Sequence, residues 1–290
     1  MERRWADHLI KRNIEGAPEY DLEDVLLDGA RSALVISDNC TSFLGFYPQG
    51  TTSKEETTRY FRHDQGYNVI QLLYCDNAGE LVESAIDMDW NVDTSTPGEP
   101  TSNGVIERIV GRIKEGIRTN LRHSGFHPKW WPYAGKHFSF AWNMTYHKGE
   151  CPYLGRCGTE CRAPRIPFGT LVWFLPTLKG SAKTRQGFGA VAIKGLFLAY
   201  HTHTGGTWSG DYEVAELDAF LDNPECLPNQ VRRHRTSRVE VYPDSVVFPL
   251  MEAKELCERK GEKCKNLYEV LKETVPEMPQ RETEKADSRR

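Results

Sequence analysis

The sequence has no hydrophobic run of the length that crosses a membrane, and no apolar segment follows its basic start, Arg3 and Arg4. A transmembrane helix needs about 20 consecutive apolar residues, and a secretory signal needs an apolar core behind its charged residues. Neither an anchor nor a signal peptide can therefore be read from the sequence. We expect a protein that acts without a membrane partner.

Dense, regularly spaced cysteines are also lacking, because the eight cysteines are scattered over 290 residues. Disulfide frameworks are typical of small, cysteine-rich secreted domains, so we expect no structural disulfides. His147, Cys151, Cys157 and Cys161 form a His-x3-Cys-x5-Cys-x3-Cys series with the ligand types of zinc. This spacing matches no common zinc finger, and we favour incidental cysteines over a zinc site.

An excess of positive charge is absent as well, since the net charge is −4. Proteins that bind nucleic acid usually carry a basic footprint for the phosphates. The charge is unevenly distributed, however: acidic residues crowd 15–28 and the C-terminal tail, whereas 108–122 and 232–238 are basic. These two basic segments keep nucleic-acid binding open as a function.

Periodicity predicts alternating strands and helices in the first half of the chain. Apolar residues recur at helical spacing from Ser102 to about His123, which is the clearest such signal. A further helix covers Trp130 to Tyr146, and we assign its aromatic residues to the core. The other predicted elements are, in order, a strand at 5–10, a hairpin at 32–47, a helix at 53–64, a strand at 68–75, a helix at 79–88 and a strand at 90–94. Together they predict an α/β fold with the mixed sheet of ribonuclease-H-like proteins in residues 1–147.

The second half of the chain differs in composition. Glycine, cysteine and proline enrich 148–164, which we predict to be a linker. Short strands between glycine turns then predict a small all-β barrel within 165–248. Residues 249–290 are predicted to form a charged helix and a disordered tail. A length of 290 residues suits this division into two modest domains.

Two segments carry a specific motif. Asp76-Asn77 directly follows the predicted strand at 68–75, and the long helix begins within Thr-Pro-Gly-Glu-Pro-Thr-Ser-Asn-Gly-Val-Ile-Glu-Arg at 96–108, with Glu107 one turn inside it. This pattern resembles the DDE integrases of retroviruses and of copia-like retrotransposons. The gap from Asp76 to Glu107 is a few residues shorter than in that family, which a tight connection accommodates. Further on, 166–172 and 194–200 resemble the SH3-like barrel that follows the core in copia-type Pol polyproteins.

The resemblance implies a polynucleotidyl transferase whose catalytic and metal-binding residues are Asp7, Asp76 and Glu107. Three carboxylates on different elements would hold two Mg²⁺ or Mn²⁺ ions around a phosphodiester. Asp7 is preferred as the first carboxylate because the strand that bears it must precede the hairpin, and Asp38 in the hairpin is the alternative. Without the resemblance, each residue has an ordinary structural explanation. Asp76 also fits a turn-forming aspartate after a strand, and Glu107 also fits a solvated glutamate at the start of a helix.

DNA is the partner that the resemblance implies, as element ends and as target, together with assembly into a homo-oligomer. The expected DNA contacts lie around the long helix and are Asn103, Arg108, Arg112, Lys114 and Arg118. A solvated basic helix face is the alternative interpretation. For a functional eukaryotic element, the expected location is the nucleus.

The resemblance covers residues 1 to about 220. Integrases normally carry a His/His/Cys/Cys zinc module upstream of the core, and nothing of that kind precedes Asp7. We therefore expect a fragment of a Pol polyprotein or a truncated gene product. Two other functions stay open, namely a catalytically inactive DNA-binding remnant and a ribonuclease-H-like nuclease without strand transfer.

Overall fold

A computed structural model describes residues 7–12, 30–95, 104–176, 192–223, 225–241 and 246–260, with the backbone alone for 7–12. Within these ranges the chain forms ten strands and seven α-helices. They are β1 (Asp7–Arg12), β2 (Ser32–Asp38), β3 (Leu44–Gln49), α1 (Lys54–Gln65), β4 (Leu72–Cys75), α2 (Gly79–Ile86), β5 (Asn91–Thr94), α3 (Gly104–Ser124), α4 (Trp131–Asn143), α5 (Pro152–Cys157), β6 (Leu171–Phe174), β7 (Ile193–Thr202), β8 (Trp208–Glu216), α6 (Asp218–Asp222), β9 (Arg233–Thr236), β10 (Val239–Val241) and α7 (Pro249–Lys260).

The first sheet has the strand order β3-β2-β1-β4-β5. β2 runs antiparallel to β1 and to β3, whereas β4 runs parallel to β1 and to β5. This sheet, with its single reversed strand beside the central one, confirms the mixed α/β architecture that the sequence predicts for the first half of the chain. The parallel arrangement of β1 and β4 brings the ends of these two strands to the same edges of the sheet.

Both faces of this sheet are covered. Leu73 and Cys75 of β4 lie in a buried cluster with residues of α1 and α2, and Tyr74 packs against the cluster that contains the buried stripe of α3. The helical period predicted for α3 is confirmed, because Ile106, Val110, Ile113, Ile117 and Leu121 are all buried. The β4 strand is shorter than predicted, because residues 66–68 form a turn and bend and the strand begins only at Leu72.

The start of α1 follows from its capping residues. The Ser53 side chain accepts a hydrogen bond from the amide of Glu56, as the sequence predicts for a helix N-cap. The Glu56 carboxylate reaches further back than a capping box requires and accepts from the amides of Gly50 and Thr51. These bonds connect the end of β3 to the first turn of α1.

The second sheet is antiparallel, with the order β10-β6-β7-β8-β9. Its outermost strands are β9 and β10, yet only Ser237 and Arg238 separate them along the chain. The Thr236 hydroxyl at the end of β9 donates to the carbonyl oxygen of Leu175, just beyond β6, at 2.9 Å. The sheet therefore curls until its two edges approach one another.

The helix α4 lies between the two sheets. Its Trp131 ring meets Phe46 of β3 edge to face at 6.1 Å, and its Phe140 ring stacks on Tyr200 of β7 at 4.5 Å. The core position predicted for the aromatic residues of this segment is confirmed at both of these rings, which are buried. One cluster of buried side chains consequently includes residues of both sheets.

The segment 148–164, predicted as a linker, contains α5 and packs against the first sheet. The Arg156 side chain is only 3% exposed and lies 2.8 Å from the Asp64 carboxylate of α1 and 3.7 Å from that of Asp38. The Tyr153 hydroxyl accepts from the amide of Trp208 at the start of β8. These contacts connect α5 to both halves of the chain. The tail beyond residue 260 lies outside the described residues.

Candidate functional site

Asp76 directly follows β4, at the carboxyl end of the parallel strands. Its Oδ1 atom is buried and has no hydrogen-bond partner among the described residues. A buried carboxylate oxygen without a donor costs free energy, which a bound cation or a proton would offset. Burial raises the pKa of the neighbouring Cys75 thiol to about 12, and the charges of Asp76 and Asp93 add to the shift. Cys75 is therefore a neutral thiol beside this carboxylate.

Glu107 lies in the first turn of α3 and is exposed. The residue before it, Ile106, is buried in the cluster against which Tyr74 packs, and Tyr74 precedes Asp76 by two positions on β4. Ile106 and Tyr74 therefore both pack in one extended hydrophobic cluster. The positive end of the helix dipole favours a carboxylate at this position.

The register of β1 determines where Asp7 lies. Asp7 pairs with Leu72 of the parallel strand β4, so that Asp76 is four residues further along. At a rise of about 3.3 Å per residue this offset corresponds to roughly 13 Å along the strand. The structure thus does not bring the backbone of Asp7 level with Asp76, and the assignment of Asp7 as the first carboxylate stays a prediction.

Asp38, the alternative first carboxylate, lies at the sheet edge opposite to Asp76, because β2 runs antiparallel to β1 and Asp38 pairs with His8. Its side chain is buried and accepts from the amide of Cys40 at 2.9 Å and from the hydroxyl of Thr41 at 2.7 Å. It therefore closes the hairpin turn and does not converge with Asp76.

In the part of the chain whose side chains are described, no three His, Cys, Asp or Glu side chains come together as ligands of one metal ion. Asp76 and Glu107 nevertheless fit a hard divalent cation by their chemistry, since Mg²⁺ and Mn²⁺ prefer carboxylate oxygens. The unpartnered Oδ1 of Asp76 is the structural observation that agrees with such a ligand.

The predicted DNA contacts on α3 differ in their surroundings. Arg108 and Arg118 are exposed and Lys114 is half-buried, whereas Asn103 lies outside the described residues. Residues 107, 111, 114 and 118 follow one helix stripe. A side chain at Gly111 in that stripe would meet nothing within 4 Å. The helix surface beside Glu107 is accordingly open to a close-lying ligand.

Arg112 has a more specific environment that the sequence did not indicate. Its guanidinium lies 4.4 Å from the centre of the Trp142 ring, and the His147 ring stacks on the same ring at 3.7 Å. The His147 Nε2 atom also lies 3.0 Å from the main-chain oxygen of Trp142. Cation–π contacts of this kind fix an arginine near the surface. The stack depends on the pairing of α3 with α4, which no local pattern reveals.

The three cysteines of the His/Cys series lie in or against one hydrophobic cluster. Cys151 is buried, and its thiol donates to the carbonyl oxygen of Asn143 at 3.4 Å. Cys157 and Cys161 are half-buried thiols, and burial raises the pKa of each.

The described part of the chain thus defines a mixed α/β protein with a carboxylate at the carboxyl end of its central parallel strands. Among solved structures, the chain is similar to the catalytic core domain of BIV integrase, with a TM-score of 0.37 and 12% sequence identity over 51% of this chain and 90% of that chain. No protein-family model matches the sequence, and no curated protein matches it. Of the described helices, none has the length and apolar character needed to cross a bilayer.

Proposed function

We propose that this chain contains the catalytic core of a retroelement-type integrase, which joins the 3′ ends of element DNA to target DNA by metal-dependent phosphodiester transfer. The observation that carries the proposal is the unpartnered, buried Oδ1 of Asp76 at the carboxyl end of β4. The strand order of the first sheet and the motif around Glu107 add support.

In this proposal Asp76 and Glu107, with Asp7 as the third carboxylate, hold two Mg²⁺ or Mn²⁺ ions. Such ions activate the attacking oxygen and stabilise the leaving oxygen of the phosphodiester when they are bound. The chain's own contribution is to position the DNA: Arg108 and Arg118 attract phosphates, and Asn103 and Lys114 lie on either side of Glu107 along the chain. The curled second sheet is proposed to be an SH3-like barrel that assists assembly into a homo-oligomer on DNA.

A strand-transfer assay with duplex oligonucleotides in Mg²⁺ or Mn²⁺ tests this function. Asp76→Asn and Glu107→Gln should each lower the rate by at least about 100-fold, the order lost when one charge-stabilising group is removed from an active site. Glu115→Gln is the matched control, because Glu115 is exposed on the same helix two turns further on. Equal activity of the wild type and both site variants would reject the proposed triad.

A second candidate is a DNA-binding protein without catalysis, and the register that pairs Asp7 with Leu72 favours it. This candidate predicts salt-dependent DNA binding without strand transfer in either metal. The two functions separate further in a thermal unfolding experiment, since only a metal site predicts that Mn²⁺ raises the unfolding temperature of the wild type and not that of Asp76→Asn. Cleavage of DNA without joining would instead indicate a nuclease.

A further inference from the structure

A cleft with a volume of about 460 Å³ lies between the two sheets. Its walls are the outer edge of β3, one side of α1, one side of α4, and the adjoining ends of β7 and β8. Clefts of this volume are typical of sites for small ligands. Asp76 and Glu107 are not among the residues that line it, so the cleft is separate from the proposed carboxylate site.

Cationic groups from three elements meet in this cleft. Arg59 and His63 come from α1, Lys136 from α4 and His201 from β7. Lys136 Nζ and His201 Nδ1 both face the Glu213 carboxylate, at 3.7 Å and 3.3 Å. Lys136 and His201 therefore share a single carboxylate partner in the wall of the cleft.

The second carboxylate in the cleft, Glu56, is already occupied. It accepts from the amides of Gly50 and Thr51 and from the Thr51 hydroxyl, and it lies 3.5 Å from the Arg59 guanidinium. Most of its hydrogen-bonding capacity therefore goes to the loop before α1. The Arg59 side chain is still largely exposed and can contact a ligand.

His63 lies on the α1 side of the cleft and is affected by these groups. Burial is the main cause that lowers the pKa of His63, the charge of Asp64 raises it, and the charges of His201, His203 and Lys136 lower it. The cations of the cleft therefore add to an effect that burial dominates.

Ser139 supplies an unused hydrogen-bonding group in the wall. Its side chain is only 4% exposed, it lines the cleft, and its Oγ atom has no hydrogen-bond partner among the described residues. Buried hydroxyl groups are nearly always paired. A ligand with a polar atom at this wall would satisfy Ser139.

The edge of β3 limits which kind of ligand can enter. The main-chain oxygens of Phe43 and Gln49 accept hydrogen bonds from β2 and the residue before it, so every second residue of β3 bonds to that side. The residues between them, Leu44, Phe46 and Pro48, direct their main-chain groups into the cleft. The side chain of Asn143 already pairs with both the amide and the carbonyl oxygen of Leu44.

The other end of this edge is also blocked. Pro48 has no amide hydrogen, and its carbonyl oxygen accepts from the Tyr60 hydroxyl. Only Phe46 remains for pairing with an added chain, which is too little for a peptide strand. A small ligand is favoured over a peptide.

Aromatic rings line two sides of the cleft. Tyr47 and Tyr60 stack at 5.2 Å on the side of β3 and α1, and Phe140 and Tyr200 stack at 4.5 Å on the side of α4 and β7. Aromatic faces bind planar bases by stacking. Phe140 and Tyr200 are each only 4% exposed, whereas Tyr47 and Tyr60 are half-buried, so the side of β3 and α1 offers the surface for a planar ring.

We propose that this cleft binds a nucleoside phosphate, with its phosphate held by Arg59, Lys136 and His201 and its base against the aromatic rings. The ligand is either a free nucleotide or one nucleotide of a single strand, since both present the same chemistry. The inference is independent of strand transfer, because it uses none of the carboxylates proposed for that reaction.

Calorimetric titration of the full chain with thymidine 5′-monophosphate, thymidine, inorganic phosphate and a short oligothymidylate tests the site. The monophosphate should bind at least about tenfold more tightly than thymidine or phosphate alone, because lost charge-assisted hydrogen bonds cost on this order. Arg59→Gln and Lys136→Gln should each weaken its binding about tenfold. Arg62→Gln is the control, since Arg62 is exposed on α1 and does not line the cleft.

Ser139→Ala distinguishes ligand binding from folding. It removes a buried hydroxyl that has no partner in the described chain, so the unfolding temperature should not fall while nucleotide binding weakens. If only the oligothymidylate binds and the cleft variants weaken its binding, the ligand of the cleft is one nucleotide of a single strand. Monophosphate binding that the cleft variants leave unchanged, or no monophosphate binding together with unaffected oligothymidylate binding, would overturn the inference.

Discussion

The imidazole of His137 in α4 donates a hydrogen bond from Nε2 to the main-chain oxygen of Ile166, at 2.8 Å. A carbonyl oxygen can only accept, so the hydrogen lies on Nε2, and Nδ1 is free to accept from the Asn120 amide at 3.3 Å. One buried side chain thereby joins α3, α4 and the segment that leads into the second sheet.

This position predicts a pH dependence of stability. Burial lowers the pKa of His137 to about 4, although the bond to Ile166 opposes the shift. An unfolded histidine gains its proton near pH 6.5. The unfolded state therefore binds more protons between these two values, and the free energy of unfolding should fall by up to about 3 kcal/mol as pH drops from about 6.5 to about 4.

Urea unfolding at a series of pH values measures this effect, with His137→Gln as the variant. Glutamine can keep a donor to the carbonyl oxygen of Ile166 but does not titrate, so the curve of the variant should be flatter over the same pH interval. The half-buried His203, whose hydrogen bond to Ser209 lies at the surface, gives the control variant, His203→Gln, which should retain the slope. Identical slopes for the wild type and His137→Gln would contradict the prediction.

Asn143 should be a strong determinant of stability. Its side chain accepts from the amide of Leu44 at 2.8 Å and donates to the carbonyl oxygen of the same residue at 2.9 Å, inside the core. Asn143→Ala leaves two buried main-chain groups unpaired and should lower the free energy of unfolding by about 3 kcal/mol. Asn68→Ala, at an exposed turn, should change it by less than about 0.5 kcal/mol. Chemical denaturation of both variants decides the matter.

Arg156 should be needed to keep two buried carboxylates in place. Arg156→Met leaves Asp38 and Asp64 without their cation, and such losses typically cost about 3–5 kcal/mol. Adding Asp64→Asn to this variant should restore part of the loss, because one uncompensated charge is removed. Arg162→Met, in the same segment but exposed, is the control. No recovery in the double variant would show that packing, and not charge, is the cause.

The basic face of α3 makes a prediction about DNA binding. Arg108→Gln and Arg118→Gln should each reduce the slope of log affinity against log salt concentration by about 1, as expected for one lost phosphate contact. Arg62→Gln on α1 should leave the slope unchanged. Fluorescence anisotropy with a duplex at several salt concentrations measures these slopes, and equal slopes in all three variants would identify the face as merely solvated.

Much of the first sheet could be predicted because its signals are local. The period of Ile106, Val110 and Ile113 determines the buried side of α3, and Ser53 marks the start of α1 by its capping hydrogen bond. The sequence extended β4 back to Asn68 because Val69 is apolar, yet that side chain is 72% exposed in the loop before the strand. Apolar character alone did not distinguish a loop residue from a core residue.

Contacts between distant segments could not be predicted in the same way. Arg156 and Asp64 are 92 positions apart, and no spacing in the sequence connects them. The register of β1 against β4, on which the place of Asp7 depends, is likewise a matter of pairing between strands and is only weakly encoded by short polar and apolar patterns. The end of β4 just before Asp76 could be predicted, in contrast, because a strand end is a local signal.

The position of α4 between the two sheets has a consequence for the inheritance of the two halves. A chain cut after residue 147 would expose Phe140 and its neighbours to water, and a second sheet produced by itself would lose the partner of Tyr200. Recombination that exchanged only one half would therefore join surfaces that had not evolved together. Natural variation at the two sides of α4 should be coupled, so that the halves are passed on as one unit.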